Sequence, residues 1–501
     1  MRELLDAPTQ RRLHILEQLN EVSDWISSND LAKENNASLR TINNDISYLK
    51  DNWHPRLLIE TSKKNGVRLR TQPSSHIELI YSYVLKNSDA FRLLESVFFD
   101  TTLSIEKWGE RLFISESSLY RITNSISSSL EKYGLYLEKK PCRIIGINEF
   151  SVRYFYTSFF REAYSVTEWP FDSCKKNAIT LVKNMIDQLK LDLSFDENEI
   201  LHVSHILNVS LIRQSQGFFI THLTNEHIPQ QYKEAFQSNE ALLADLAQEY
   251  GLSLTQDVLD DLIITFFYHL DAWNDHKEKL LIITEIDQFV RSILEAFQLK
   301  LTNKELLKLE VSMRHLYLFH KVYPFRNFII FDKYYYNGIA IKQNFPMLNN
   351  VVENSLKSME KKTGFPWHSS FHYVILYWIM IKWKNLPQLL EDKKEKATIL
   401  VMSELGDDHV AFLTKMIDTN FGSKAIVTPY TGSILFLSDS SPAEFADYDI
   451  IITNFNTELL PHDKLIVIDD IPSNLDWGTL RRGINNINKM SPNFLTSFKN
   501  E

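Results

Sequence analysis

The stretch that most constrains this chain is residues 26–50, ISSNDLAKENNASLRTINNDISYLK. Its periodicity predicts two short helices around a tight turn. Leu31 and Ala32 lie in the first helix, residues 34–38 make the turn, and residues 39–50 form the second. In that second helix Leu39, Ile42, Ile46 and Leu49 recur at spacings of 3, 4 and 3, so they share one stripe expected to be buried. Ser38 stands where a hydroxyl caps a helix by accepting an orphan backbone N–H. Arg40, Thr41, Asn43, Asn44, Asp45, Ser47, Tyr48 and Lys50 fall between the apolar positions. Arg, Asn, Thr and Tyr on an outward helix face suit base edges and phosphates. A surface helix pair without a ligand would show the same stripe, so the meaning depends on the neighbouring segments.

The segment after this helix pair reads as a hairpin. Two β-type runs, 57–61 and 67–70, flank Lys63-Lys64-Asn65-Gly66, and Asn-Gly between apolar runs is a strong hairpin signal. A hairpin directly after a helix-turn-helix is a wing. Its Lys63, Lys64, Arg68 and Arg70 suit the phosphate backbone. An amphipathic helix over 9–25, with Leu13, Leu16, Leu19 and Val22 inward, completes a first domain spanning 1–72. Arg11 and Arg12 near its start suit phosphate or solvent equally well.

Residues 73–148 repeat the plan. Helices are expected over 76–86, 105–112 and 116–132, with an apolar run at 91–100 and FIS as the turn. Leu119, Ile122, Ile126 and Leu130 form the inner stripe, and Ser115 is placed as the cap. Ser117, Ser118, Tyr120, Arg121 and Asn124 face outward, and a second hairpin carries Lys139, Lys140 and Arg143 at its tip. The alternative is that this second copy is a structural spacer.

A chain of 501 residues suggests three or four domains. Apolar content of 44% with few glycines and prolines fits helix-rich globular proteins. No run of 18 apolar residues and no N-terminal apolar run occurs, and Cys142 and Cys174 give neither a disulfide framework nor a zinc site. A cytoplasmic protein is expected. The net charge of −10 is unusual for a DNA binder, but residues 1–146 carry 20 Lys and Arg against 19 Asp and Glu. The acidity therefore lies behind them, and binding would rely on charge aimed from one face, helped by dimerisation.

Residues 149–390 read as all-α, with about ten helices in two similar halves, 149–275 and 276–390. His202, His205, His269, His315, His320, His368 and His372 sit among aliphatic and aromatic neighbours. Each alone reads first as a hydrogen-bonded core histidine; the alternatives are a metal ligand or a phosphorylated nitrogen. No HExxH, Gly-rich phosphate loop or nucleophile elbow is present, so no catalytic residue, metal or cofactor is assigned and no enzyme is expected. After the charged EDKKEK, residues 391–501 alternate strands (397–403, 425–430, 449–455, 465–470) with helices (407–420 and from Trp477 onward), a small parallel α/β domain.

QRRLHIL (10–16), LAKENNASLRTINNDISYL (31–49) and ISESSLYRI (114–122), with the histidine-bearing helices and the α/β tail, resemble the Mga/AtxA family over essentially the whole chain. Members are transcriptional regulators carrying phosphotransferase-system regulation domains. The resemblance implies two winged helix-turn-helix domains, two such regulation domains and an enzyme IIB-like domain. It also implies double-stranded DNA, the phosphocarrier HPr and a second copy of the chain as partners. HILNVSLIR (205–213), FFYHL (266–270), RHLYLF (314–319) and FHYVILYW (371–378) look like its histidine motifs, so His205, His269, His315 and His372 are the phosphorylation candidates, ahead of His202 and His320. The enzyme IIB component carries its phosphorylated cysteine just after the first strand. VMSELGDD (401–408) has none, so dimerisation is expected there rather than phosphoryl transfer. The competing expectation is a phosphotransferase-system scaffold that binds no DNA.

Overall fold

The structure is a computed structural model that describes residues 1–22, 24–71, 77–189, 196–220, 230–267, 272–439 and 441–487. Two compact units divide the chain: Met1–Lys279 with Val311–Tyr336, and Leu280–Glu310 with Asn337–Glu501.

The first unit opens with α1 (Ala7–Glu21), α2 (Ser28–Glu34), α3 (Leu39–Trp53), β1 (Leu57–Ser62) and β2 (Gly66–Thr71). Each helix starts on a side-chain cap. Asp6, Ser27 and Ser38 accept the backbone N–H three residues on, at 2.9, 3.1 and 3.1 Å. The antiparallel register pairs Ile59 with Leu69 and Thr61 with Val67, which turns Leu57, Ile59, Val67 and Leu69 inward. Ile26 adds a further bridge, exchanging both N–H···O bonds with Val67 at 2.8 Å. Gly66 makes that closure possible. Its φ is +100°, and a Cβ there would lie 2.1 Å from the Ile26 carbonyl oxygen.

Two expectations are corrected here. The first helix ends at Glu21, leaving Val22 outside it and exposed. Leu39 is 45% exposed, so the buried stripe of α3 begins at Ile42 and runs through Ile46 and Leu49 to Trp53. Spacing says which residues share a face, not how far the facing helices reach along it.

The second copy is α4 (Glu78–Lys86), α5 (Asp89–Phe99), α6 (Ile105–Arg111), α7 (Glu116–Glu131), β3 (Leu135–Lys139) and β4 (Cys142–Gly146). Ser115 caps α7 on the Ser118 N–H at 3.3 Å, and the Cys142 N–H donates to Leu103 O at 2.6 Å, a single bond where Ile26 and Val67 exchange two. The basic tip is smaller than expected. Lys139 ends β3 and Arg143 lies within β4 opposite Glu138, which leaves Lys140 in the turn.

Twelve helices come next among the described residues: α8 (Glu149–Ala163), α9 (Lys175–Leu189), α10 (Glu197–Ser215), α11 (Gln230–Gln237), α12 (Glu240–Glu249), α13 (Gln256–Phe267), α14 (His276–Phe297), α15 (Asn303–Val322), α16 (Lys333–Asn344), α17 (Pro346–Thr363), α18 (His372–Lys382) and α19 (Leu386–Glu391). α8 is buried on nearly every face, its aromatic residues in the core and its buried Arg153 paired with Glu149 and Asp261. One apolar core joins both winged domains, α8 and the loop before α16, where Ile329, Ile330 and Phe331 are buried. Glu162 on α8 holds that loop by accepting the N–H groups of Ile329, Ile330 and Phe331 at 2.6, 2.7 and 2.7 Å. Burial pushes its carboxyl up to about 7 against the pull of those donors.

In the second unit, β5 (Ala397–Val401), α20 (Asp407–Phe421), β6 (Ala425–Pro429), β7 (Ile450–Thr453), β8 (Leu465–Val467) and α21 (Asn474–Ile487) form the C-terminal domain. The strands are all parallel, in the order β6-β5-β7-β8. α20 and α21 cover one face of this sheet, and Leu437, Phe445 and Leu460 cover the other, packing on Leu400, Met402 and Ile451, so both faces are buried as a parallel sheet requires.

Candidate nucleic-acid interface and histidine sites

α3 is fixed from behind by ionic contacts. Asp45, 2% exposed, accepts from Arg11 Nε at 2.6 Å and from Arg12 Nε at 2.8 Å, and the Arg12 guanidinium lies 3.6 Å over the Tyr48 ring. Asp45 therefore faces α1 rather than outward, and Arg11 and Arg12 are committed to aiming α3. Thr41 is half-buried and bound to the Ser38 cap through its N–H and hydroxyl. Arg40, Asn43, Asn44, Ser47 and Lys50 remain on the exposed face, with Lys50 reaching Thr61 at the wing at 3.5 Å.

The wing shows the same division. Lys63 and Lys64 are exposed at the turn. Arg68 is half-buried, pairs with Glu60 across the hairpin and stacks 4.6 Å over Trp25; Arg70 reaches the same carboxylate at 2.9 Å. Arg68 is thus held by Glu60 and Trp25 within the domain, a tie that its expected role on phosphate did not include. Cross-strand opposite charges stabilise a hairpin, and alternation alone does not show which basic residues face a carboxylate.

On α7, Ser117, Tyr120, Arg121 and Asn124 are exposed, while Ser118 is half-buried and, like Thr41, spent on its cap. Arg143 pairs with Glu138. The sequence reading missed Phe113, which is almost fully exposed at φ +58° two residues before the cap of α7. Asn36, at φ +47°, holds the matching place before α3, and the shared spacing to Ser38 and Ser115 was the available signal.

The histidines separate by environment. His205 is buried on α10, with Nδ1 2.8 Å from Leu201 O and its ring edge-on to Trp169 and Phe171; burial pushes it down to about 4. His372 opens α18, stacked between His368 and Tyr373, and is likewise pushed down to about 4 by burial. Its Nε2 has no hydrogen-bond partner. His202, His315 and His320 are half-buried, and His269 lies outside the described residues. A network of alternating charge runs behind His205. Arg213 on α10 pairs with Glu149 at 2.7 Å and reaches Ile144 O in β4 at 3.3 Å; Arg153 joins Glu149 to Asp261 on α13.

After β5, Ser403 is buried and its hydroxyl is 2.7 Å from His409 Nδ1, while His409 Nε2 meets Asp470 O at 2.8 Å. Asn454 ties this loop to Asp470. The loop after β5 is thus tied to α20 and to the segment after β8 by its own side chains.

Two helix-turn-helix units, each capped by serine and followed by a hairpin, define the class: a tandem winged helix-turn-helix protein. Residues 11–68 match a family described as HTH domain, and residues 73–160 match the Mga helix-turn-helix domain. Over 94% of this chain and 96% of the relative, it is 27% identical to a Streptococcus pneumoniae serotype 4 (strain ATCC BAA-334 / TIGR4) protein named "Putative trans-acting regulator". Two Bacillus anthracis proteins are also similar. The capsule synthesis positive regulator AcpA is 25% identical over 60% of this chain and 64% of its own length; the capsule synthesis positive regulator AcpB is 28% identical over 52% and 53%. The resemblance read from the sequence holds: the chain is similar to Mga/AtxA-like regulators. No described helix is long and apolar enough to cross a membrane.

Proposed function

We propose that this protein is a DNA-binding transcriptional regulator of the virulence-gene type, acting as a homodimer and tuned by phosphotransferase-dependent phosphorylation of histidine. The observation that carries the DNA reading is the division of labour on α3. Asp45, Arg11 and Arg12 fix the helix from behind, and Arg40, Asn43, Asn44 and Lys50 are left exposed on the other side. The names of AcpA and AcpB point to positive control of surface-polymer genes as the setting. A mobility-shift titration on promoter-length duplex at several salt concentrations tests it. Affinity should fall steeply with salt, and Arg40→Ala should weaken binding more than Arg12→Ala. No salt slope, with binding no better than to a neutral polymer, would leave a scaffold role as the better reading.

The histidine reading rests on chemistry. A buried imidazole held near 4 is neutral at pH 7, the state whose nitrogen attacks a phosphoryl group. Adding nearly two charges between Trp169 and Phe171 would force α10 to repack, and α10 reaches the second wing through Arg213. Incubation with HPr, enzyme I and phosphoenolpyruvate should give acid-labile phosphate that His205→Ala and His372→Ala together largely remove. An unlabelled chain ends the regulatory claim and leaves DNA binding standing.

A further inference from the structure

α8 ends in two adjacent residues with opposite tasks. Glu162 grips the backbone of residues 329–331, and Arg161 turns to α10, where its guanidinium donates to His202 Nδ1 at 3.1 Å and to Asn198 Oδ1. Both acceptors are neutral. Because His202 accepts at Nδ1, its proton sits on Nε2. Lys333 stands two residues past Phe331, whose N–H Glu162 holds, and the Arg161 charge acts on it through space. Among the described residues no carboxylate lies within ion-pair distance of either cation. Tyr334 and then Asp196 act electrostatically on Arg161, and Glu78 and Asp196 on Lys333, whose ammonium lies 5.4 Å over the Tyr334 ring; the Asp196 carboxylate is spent on the cap of α10. Burial outweighs these acids and pushes both cations down. Two half-buried positive charges without a counter-ion are costly, and the cost falls only when an anion enters.

We propose that Arg161 and Lys333, with Asn198 and His202, form a binding site for a phosphoryl dianion at the base of the loop that Glu162 holds. A guanidinium fork beside a compact ammonium matches tetrahedral phosphate oxygens. Arg161 spends two of its five N–H groups on His202 and Asn198, and the fork can turn to an incoming oxygen. An anion bridging α8 and Lys333 clamps the loop onto the core of the winged domains, so its presence is read where the reading helices are anchored.

The dianion has two sources, a free phosphate or phosphate ester, or a phosphoryl group carried by His202, and the test separates them. Thermal melting of the full chain in sodium phosphate, against chloride at equal ionic strength, is expected to show a saturable rise of roughly 2–4 °C. Arg161→Gln and Lys333→Met lose the rise, Lys333→Arg keeps it, and His202→Asn keeps it if the free ion is the ligand. A phosphoryl group on His202 appears instead as acid-labile label that persists in the His205→Ala, His372→Ala protein after incubation with HPr, enzyme I and phosphoenolpyruvate, and is lost when His202→Asn is added. If Arg161→Gln does not fold, the Lys333 pair carries the comparison. No phosphate-specific rise together with no His202-dependent label overturns the site, and so does a rise undiminished in Lys333→Met. DNA binding is not part of the readout, so failure here leaves the regulator reading intact.

Discussion

Asp261→Ala is expected to destabilise the first unit by about 3–5 kcal/mol, the range for removing one partner of a buried ion pair. Asp261 is 4% exposed, and its carboxylate accepts from Arg153 Nη1 at 2.5 Å, Arg153 Nη2 at 3.2 Å, Gln214 Nε2 at 2.6 Å and the Ile220 N–H at 2.6 Å. Without it, Arg153 is left fully buried beside Thr265 and the Phe218 carbonyl, with the Glu149 carboxylate at 3.4 Å already shared with Arg213. Urea denaturation followed by tryptophan fluorescence measures the loss, with the first-unit transition moving to lower urea. Arg153→Met combined with Asp261→Ala should lose less than Asp261→Ala alone, since no orphan charge remains. If the double variant is the less stable, the network stabilises through packing rather than charge. The effect should also reach the wing, because Arg213 ties Glu149 to Ile144 O in β4.

How much of this could be read from residues alone depended on distance along the chain. The caps Ser38 and Ser115, the hairpin at Asn65-Gly66, the two helix-turn-helix units and the parallel strands are local patterns, and all are present. Leu39 and Val22 went astray because amphipathic spacing continues past the point where a facing element stops. The larger gaps are long-range. Asp45 looks like any polar residue on α3 until Arg11 and Arg12, over 30 positions earlier, are folded against it. Arg68 and Arg143 look like phosphate contacts until the hairpin register sets Glu60 and Glu138 opposite them. Glu162 and Arg161 carry no motif, and their partners lie 167 and 41 residues away in the chain. Charge in these winged domains is therefore divided between cations paired inside the domain and cations left exposed, a division that becomes visible only with tertiary contacts.

That division predicts an unusual result for Asp45→Ala. The substitution removes the shared acceptor of Arg11 and Arg12, whose side chains are 22% and 24% exposed, so water reaches the orphaned guanidiniums and the cost is held to about 2 kcal/mol. The first domain stays folded, but α3 loses its rear attachment to α1. Sequence-specific affinity should fall roughly tenfold, the factor that about 1.4 kcal/mol of lost contact represents. Non-specific binding should move the other way. Arg11 and Arg12, no longer committed, become free to meet phosphates, and each added contact steepens the salt dependence by about one counter-ion. Arg40→Ala should show the opposite pair of changes, weaker binding with a shallower slope. Titrations of specific and scrambled duplex at four salt concentrations separate the two variants. If Asp45→Ala keeps wild-type affinity and slope, Arg11 and Arg12 do not aim α3, and the orientation of the reading helix must come from the Ile42, Ile46 and Leu49 stripe alone.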